Sequence, residues 1–207
     1  MYKRQPLILL FHQAGGDARG EYGPLVPRLS EAGYNVIAID QRSGGERFGG
    51  VNRTVENLEA GDYGYCAVYP DLEGALAHAK GLGFTGKIAA WGSSYSAALV
   101  FQLAAKNQGD INAVLAFSPA SGGPLAECAP KLFSADLKTP VLALRPVGET
   151  EIESVASQLA RLKSEGHETY VADPGVHGSS MLNAERVGAS TDETWAVVLD
   201  FLQRNLR

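Results

Sequence analysis

Residues 90–98 read Ala90-Trp91-Gly92-Ser93-Ser94-Tyr95-Ser96-Ala97-Ala98. The run Ile88–Trp91 is short, apolar and strand-sized, while Tyr95–Lys106 is apolar nearly all round, as in a buried helix. A buried strand therefore passes into a buried helix through one sharp turn. In such a turn the residues two before and two after the apex nearly touch, so both must be small. Here they are Gly92 and Ser96, with Ser94 at the apex. A serine so placed is thrust out beyond the end of its strand, as in a nucleophile elbow G-x-S-x-G, with serine in place of the last glycine. The competing reading is a plain helix cap by Ser93 or Ser94.

The same alternation extends in both directions. Leu7–Phe11, Asn35–Ile39, Ala113–Phe117, Val141–Leu144 and Glu168–Ala172 read as further strands. All but the last are continuous apolar runs of the kind buried on both faces of a parallel sheet. Between them lie helical spacings. Leu25, Leu29 and Ala32 share a face that Gly33 closes, and Pro70 opens a helix with Leu72, Ala75, Leu76 and Ala79 inward. Ile152, Val155, Ala156, Leu159 and Leu162 precede a C-terminal Gly166, and Ser190 with Glu193 forms a capping box before Trp195, Val198, Leu199 and Leu202. The expected fold is a doubly wound α/β domain over residues 1–207, with a mostly parallel six-stranded sheet flanked by helices. Two loops are long, Asp40–Tyr69 and Ser118–Leu137, and both leave carboxyl ends of strands, where sites form in such sheets. The second is too short to be a cap domain.

Composition narrows the function. The 207 residues are 45% hydrophobic and 20% charged, which excludes a disordered chain. Lys and Arg total 18 against 23 Asp and Glu, a net charge of −5 that argues against a nucleic-acid partner. No apolar run approaches the ~20 residues of a membrane span, and no signal peptide stands out. The expectation is a cytoplasmic protein, or an exported one whose leader has been removed. Gly15-Gly16-Asp17-Ala18-Arg19-Gly20 lacks dinucleotide-binding spacing, and neither a P-loop nor a metal-ligand cluster is present, so no cofactor or metal is expected.

A nucleophilic serine needs a base, and there are four histidines. His78 lies within a helix, His167 at a helix end, and His12 braces the loop after the first strand. His177 follows the last strand, on the same sheet edge as Ser94. The orienting acid should lie between them in sequence. Of the nine carboxylates there, Glu149, Glu151 and Glu153 follow the fifth strand. Glu151, three residues past the turn glycine Gly148, is the favoured acid. Glu149 is the alternative and Asp136 an outsider, while Glu153 reads as the start of a helix. The oxyanion donors would be the amides of Tyr95, next after the nucleophile, and of Ala14, in Phe11-His12-Gln13-Ala14-Gly15-Gly16.

With these motifs the chain resembles the α/β-hydrolase superfamily over nearly its whole length, from Leu7-Ile8-Leu9-Leu10-Phe11-His12 through the elbow to His177-Gly178. It looks most like small capless esterases of the dienelactone-hydrolase and acyl-thioesterase type. Two departures stand out: His-Gln-Ala replaces the usual His-Gly start of the first loop, and a Glu stands where Asp is usual for the acid. Dienelactone hydrolases proper carry cysteine at the elbow, so Ser94 implies ordinary ester or thioester hydrolysis. The resemblance implies a serine hydrolase acting on a small-molecule carboxylic ester, and the lack of a span-length apolar run implies no membrane partner. A thioesterase or peptidase with the same triad is the alternative within enzymes. A non-catalytic binding protein on this scaffold is the alternative outside them.

Other residues carry weaker signals. Arg42, Arg47 and Arg53 read as solvated partners of Glu46, Glu56 and Glu59 in preference to ligands for an acidic substrate group, and Tyr63, Tyr65 and Tyr69 as loop packing in preference to a cleft wall. Arg145 ends an apolar strand beside the acid loop, ready to pair with a carboxylate or to approach substrate. Cys66 and Cys128, both in loops, would be free to pair in an exported protein.

Overall fold

A computed structural model describes residues 2–58 and 63–207. Six parallel strands form one sheet in the order β2-β1-β3-β4-β5-β6: β1 (Leu7–Phe11), β2 (Asn35–Ile39), β3 (Ile88–Ser93), β4 (Ala113–Phe117), β5 (Val141–Pro146) and β6 (Glu168–Ala172). The helices are α1 (Ala18–Tyr22), α2 (Val26–Glu31), α3 (Arg53–Glu56), α4 (Tyr69–Gly81), α5 (Tyr95–Lys106), α6 (Glu153–Ser164), α7 (Ala184–Val187) and α8 (Asp192–Leu206). All strand pairs are parallel, where a mostly parallel sheet was expected.

The central strands are apolar throughout because both of their faces are covered. Leu7, Leu9 and Phe11 of β1 pack with α4 and α5 on one side, and Ile8 and Leu10 pack with Tyr22 and α8 residues such as Val198 and Phe201 on the other. Period-two alternation thus divides one run between two cores. The chain first steps outward from β1 to β2, then returns to the far side of β1 with β3. The strand order reverses between β1 and β3, and a crevice opens at their carboxyl ends. Phe11 pairs with Gly92 and Ser93 with Phe117, so the loops after β1, β3 and β4 emerge side by side.

Two local expectations fail. Ser190 and Glu193 make no capping box. The last helix starts at Asp192, so Glu193 falls one position early, and Ser190 Oγ accepts instead from Asp192 N at 3.3 Å. The loop arginines do not pair with the expected acids either. Arg42 binds Asp71 through Nε at 2.9 Å and Nη2 at 2.5 Å, and neither Arg47 nor Arg53 forms an ion pair among the described residues. Glu59 lies outside them.

The Ser118–Leu137 segment contains only two 3-10 turns, Gly123–Leu125 and Pro130–Leu132, and builds no cap. A disulfide between Cys66 and Cys128 ties it to the Tyr65–Val68 turn before α4, closing 62 residues of chain. Cross-linking that span restricts the unfolded chain, so replacing both cysteines by Ser should lower the unfolding free energy by about 2–4 kcal/mol. Urea unfolding checks this; identical midpoints for the oxidised protein and the variant would show that the two loops hold together without the bond. No helix is long and apolar enough to cross a membrane among the described residues.

Candidate active site

Ser94 sits between β3 and α5 with φ +59° and ψ −116°, in a region where L-residues are strained. The strain is imposed by the closeness of strand and helix. A Cβ on Gly92 would lie 2.3 Å from Ser96 O, so only glycine fits two residues before the apex. Ser96 is tolerated two residues after it because its side chain has a use. Its Oγ donates to His12 O at 2.7 Å and accepts from Gln41 Nε2 at 3.0 Å, fastening the first loop to α5. Ser94 N donates to Phe117 O at 2.8 Å, which fixes the apex against β4.

The first loop is braced from within. Buried His12 is kept neutral by desolvation; Nδ1–H donates to Gln13 O, and Nε2 accepts from Gln41 N at 2.8 Å. Gln13, in the place usual for glycine, gives its backbone N–H to Glu21 Oε2 at 2.8 Å and its side-chain amide to Oε1 at 3.3 Å. Glu21 is fully buried, and burial raises its carboxyl above the ordinary range. With Gln13 held there and Gly15 N bonded to Ser43 O, the Ala14 amide between them donates to no acceptor among the described residues. Tyr95 N is the first amide of α5 and has no intrahelical acceptor. These two N–H groups belong to the loops that follow β1 and β3.

Of the two glutamates, the structure brings Glu149, and not the favoured Glu151, to His177. His177 Nδ1 lies 2.5 Å from Glu149 Oε1, while Glu151 is exposed and makes no side-chain hydrogen bond among the described residues. The reason is local. Strand β5 runs to Pro146, two residues past its expected end, and a 3-10 turn at Val147–Glu149 lays Glu149 back over the sheet edge. Glu151 then falls on the solvent side, before α6.

Three groups hold the Glu149 carboxylate. His177 binds Oε1, Ser118 Oγ donates to Oε1 at 3.2 Å, and Arg145 Nη1 donates to Oε2 at 2.6 Å. Burial alone would raise its pKa, but the hydrogen bonds from His177 and Arg145 outweigh that and hold the carboxyl below its ordinary value. Arg145, itself buried, also donates to Pro119 O and to Gln158 Oε1 at 2.6 Å. Of the two roles open to Arg145 in the sequence, the structure shows pairing with a carboxylate.

Ser118, like Ser94, has positive φ, at +52°. Its Oγ also accepts from Gly178 N at 3.0 Å, joining the loop after β4 to the one after β6. A Cβ on Gly178 would lie 2.4 Å from Ser93 Oγ, so glycine is required beside the histidine. Ser179 N donates to Ser93 Oγ at 3.0 Å. Ser94, Ser118, Glu149 and His177 are thereby gathered on one rim. No hydrogen bond joins Ser94 Oγ to the imidazole among the described residues, but with Nδ1–H given to Glu149, Nε2 is the ring's free acceptor. A cleft of about 510 Å³ adjoins Ala14, with Tyr63, Tyr65, Arg42, Ser43 and Pro124 in its walls. Tyr65 stacks on Tyr95 at 5.0 Å, and the Arg42 guanidinium lies 5.7 Å from the Tyr63 ring centre.

The alpha/beta hydrolase fold family matches residues 6–146, more than half of the chain. The chain belongs to the α/β-hydrolase fold family. Among solved structures it is similar to the Pyrococcus furiosus esterase Pf2001, at TM-score 0.70 and 18% identity, covering 99% of this chain and 83% of that one. It is similar also to a Klebsiella pneumoniae protein assigned as a dienelactone hydrolase, at TM-score 0.72 and 19% identity, covering 98% and 88%. A Pyrococcus horikoshii acylaminoacyl peptidase aligns at TM-score 0.68 and 16% identity over 98% of this chain but only 37% of its own length. At these identities the likeness is one of fold. No curated protein matches the chain. Within this α/β-hydrolase, Ser118, Arg145, Gln158 and Glu21 are site-supporting residues that sequence reasoning missed or left open. Only Gln13, a polar side chain in a glycine position, signalled that a buried partner was required.

Proposed function

We propose that this α/β-hydrolase is a serine hydrolase that cleaves short carboxylic esters through an acyl-enzyme. The observation that supports this best is the strained Ser94 elbow on the same rim as an imidazole whose Nδ1–H is bound to a buried-side carboxylate. In this reading Ser94 Oγ attacks the ester carbon as its proton passes to His177 Nε2. Ala14 N–H and Tyr95 N–H donate to the oxyanion, worth ~3 kcal/mol per donor. His177 returns the proton to the departing alcohol, and water then enters by the same route to free the acid. Glu149 stays ionised throughout and stabilises the imidazolium.

The substrate side rests on the cleft beside Ala14, which among the described residues offers backbone polar groups, an ion-paired arginine and two tyrosines rather than a long apolar tunnel. We also infer an oxidising compartment rather than the cytoplasm, because the Cys66–Cys128 bond is of a kind that reducing cytosol does not sustain. The test is a series of nitrophenyl esters from acetyl to palmitoyl, read as kcat/KM beside thioester and peptide substrates. Rates should be highest at acetyl to butyryl. A rise continuing past about ten carbons, where each buried methylene adds ~0.8 kcal/mol, would contradict the open-cleft reading. Faster turnover of thioesters or peptides would replace the ester assignment.

A further inference from the structure

A second cavity of about 390 Å³ lies between α6 and the Ser118–Leu137 loop and shares no lining residue with the cleft beside Ala14. Its polar lining is Ser121, Lys131, Ser154, Ser157, Gln158 and Arg161, with no acidic residue among the lining groups. Neither Lys131 nor Arg161 has an ion-pair partner among the described residues. Two cations facing one cavity without an anion is an arrangement that an anion relieves.

Gln158 supplies an independent sign. It is 3% exposed, and Arg145 Nη2, which can only donate, fixes the orientation of its amide by occupying Oε1. The other end of the amide, Nε2, is a buried donor left without an acceptor in a side chain that forms the cavity wall. Buried donors are nearly always paired, so an unpaired one at the wall of a cationic cavity points to an acceptor supplied from outside. Hydroxyls at Ser121, Ser154 and Ser157 add donors suited to the same acceptor.

We propose that this cavity binds an oxyanion, phosphate or carboxylate, held by Lys131, Arg161 and the Gln158 amide, and that its occupancy is passed through Arg145 to Glu149 and His177. A ligand accepting from Gln158 Nε2 anchors that amide, and so anchors Oε1 on Arg145, the residue that holds Glu149 Oε2. The binding stands on the cavity alone; only the value of the coupling to catalysis rests on the proposed triad.

The experiment titrates the folded protein with inorganic phosphate, and separately with acetate, at constant ionic strength set by chloride. Calorimetry reads binding and the His177 imidazole NMR signals read the coupling. Saturable binding of phosphate or acetate is expected, with the tighter of the two naming the ligand class. Lys131→Gln and Arg161→Gln should each weaken it at least about fivefold, and Lys163→Gln, on the same helix but outside the cavity, should leave it unchanged. The His177 signals should move with saturation in the native protein and stay still in Gln158→Leu. Absence of saturable binding, or equal binding by Arg161→Gln, would overturn the site. Saturable binding with His177 signals that do not move would overturn the relay. Neither readout needs turnover, so an inactive protein would refute the hydrolase assignment without touching this one.

Discussion

Ser94→Ala is expected to lower kcat/KM for a short ester by about 10⁴-fold or more while leaving the fold intact, because the residues of a triad act as a unit. The side chain removed is one oxygen, on a residue only partly buried and without a side-chain hydrogen bond to its helix. No packing is lost. The strained backbone at φ +59° persists in the variant, because it is fixed by Gly92, Ser96 O and the Ser94 N to Phe117 O bond rather than by the hydroxyl. Thermal unfolding should therefore change little while activity vanishes. Near-native esterase activity in a folded Ser94→Ala protein would remove the elbow from the mechanism.

Glu149→Gln should cost about 10³- to 10⁴-fold in kcat, and Glu151→Gln less than about threefold. The amide keeps the shape but not the charge that favours imidazolium. It also leaves Arg145 buried without its anion, a change of the kind that destabilises by about 3–5 kcal/mol. The double variant Arg145→Met with Glu149→Gln separates the two effects: stability should recover, and activity should not. A pH signature follows as well. Since the folded carboxyl titrates below its unfolded value, its ionisation stabilises the fold above the ordinary carboxylate range and that contribution is lost as pH falls through the lowered native value. The stability gap between native protein and Glu149→Gln should then narrow below about pH 4. Urea midpoints at pH 7 and pH 3 check it. A larger rate loss in Glu151→Gln than in Glu149→Gln would return the role to the residue the spacing favoured.

The strands were legible because burial on both faces leaves runs that need no period to be read, as in Leu7–Phe11 and Ala113–Phe117. The elbow was legible because its steric rule acts on adjacent residues. What failed depended on one or two residues of backbone path. Glu149 and Glu151 differ only by whether β5 stops at Leu144 or runs to Pro146 before a 3-10 turn, and propensity does not decide that. The role of Ser118 depends on a positive φ for a residue type that seldom adopts one, and on contact with Gly178, 60 residues later in the chain. Glu21 and Gln158 are buried polar residues whose partners lie on other elements, so no local pattern marks them. The contacts that hold Glu149 and the first loop are thus mostly long-range, while the turn at Ser94 is local.

The most direct test of the serine assignment is the intact mass of the protein after treatment with a fluorophosphonate probe, followed by mapping of the modified peptide. One adduct per chain on Ser94 is predicted, absent from Ser94→Ala and formed at least about a hundredfold more slowly in His177→Ala, where no imidazole accepts the proton. A folded native protein that gains no mass, or a Ser94→Ala variant that gains it as readily, would contradict the account.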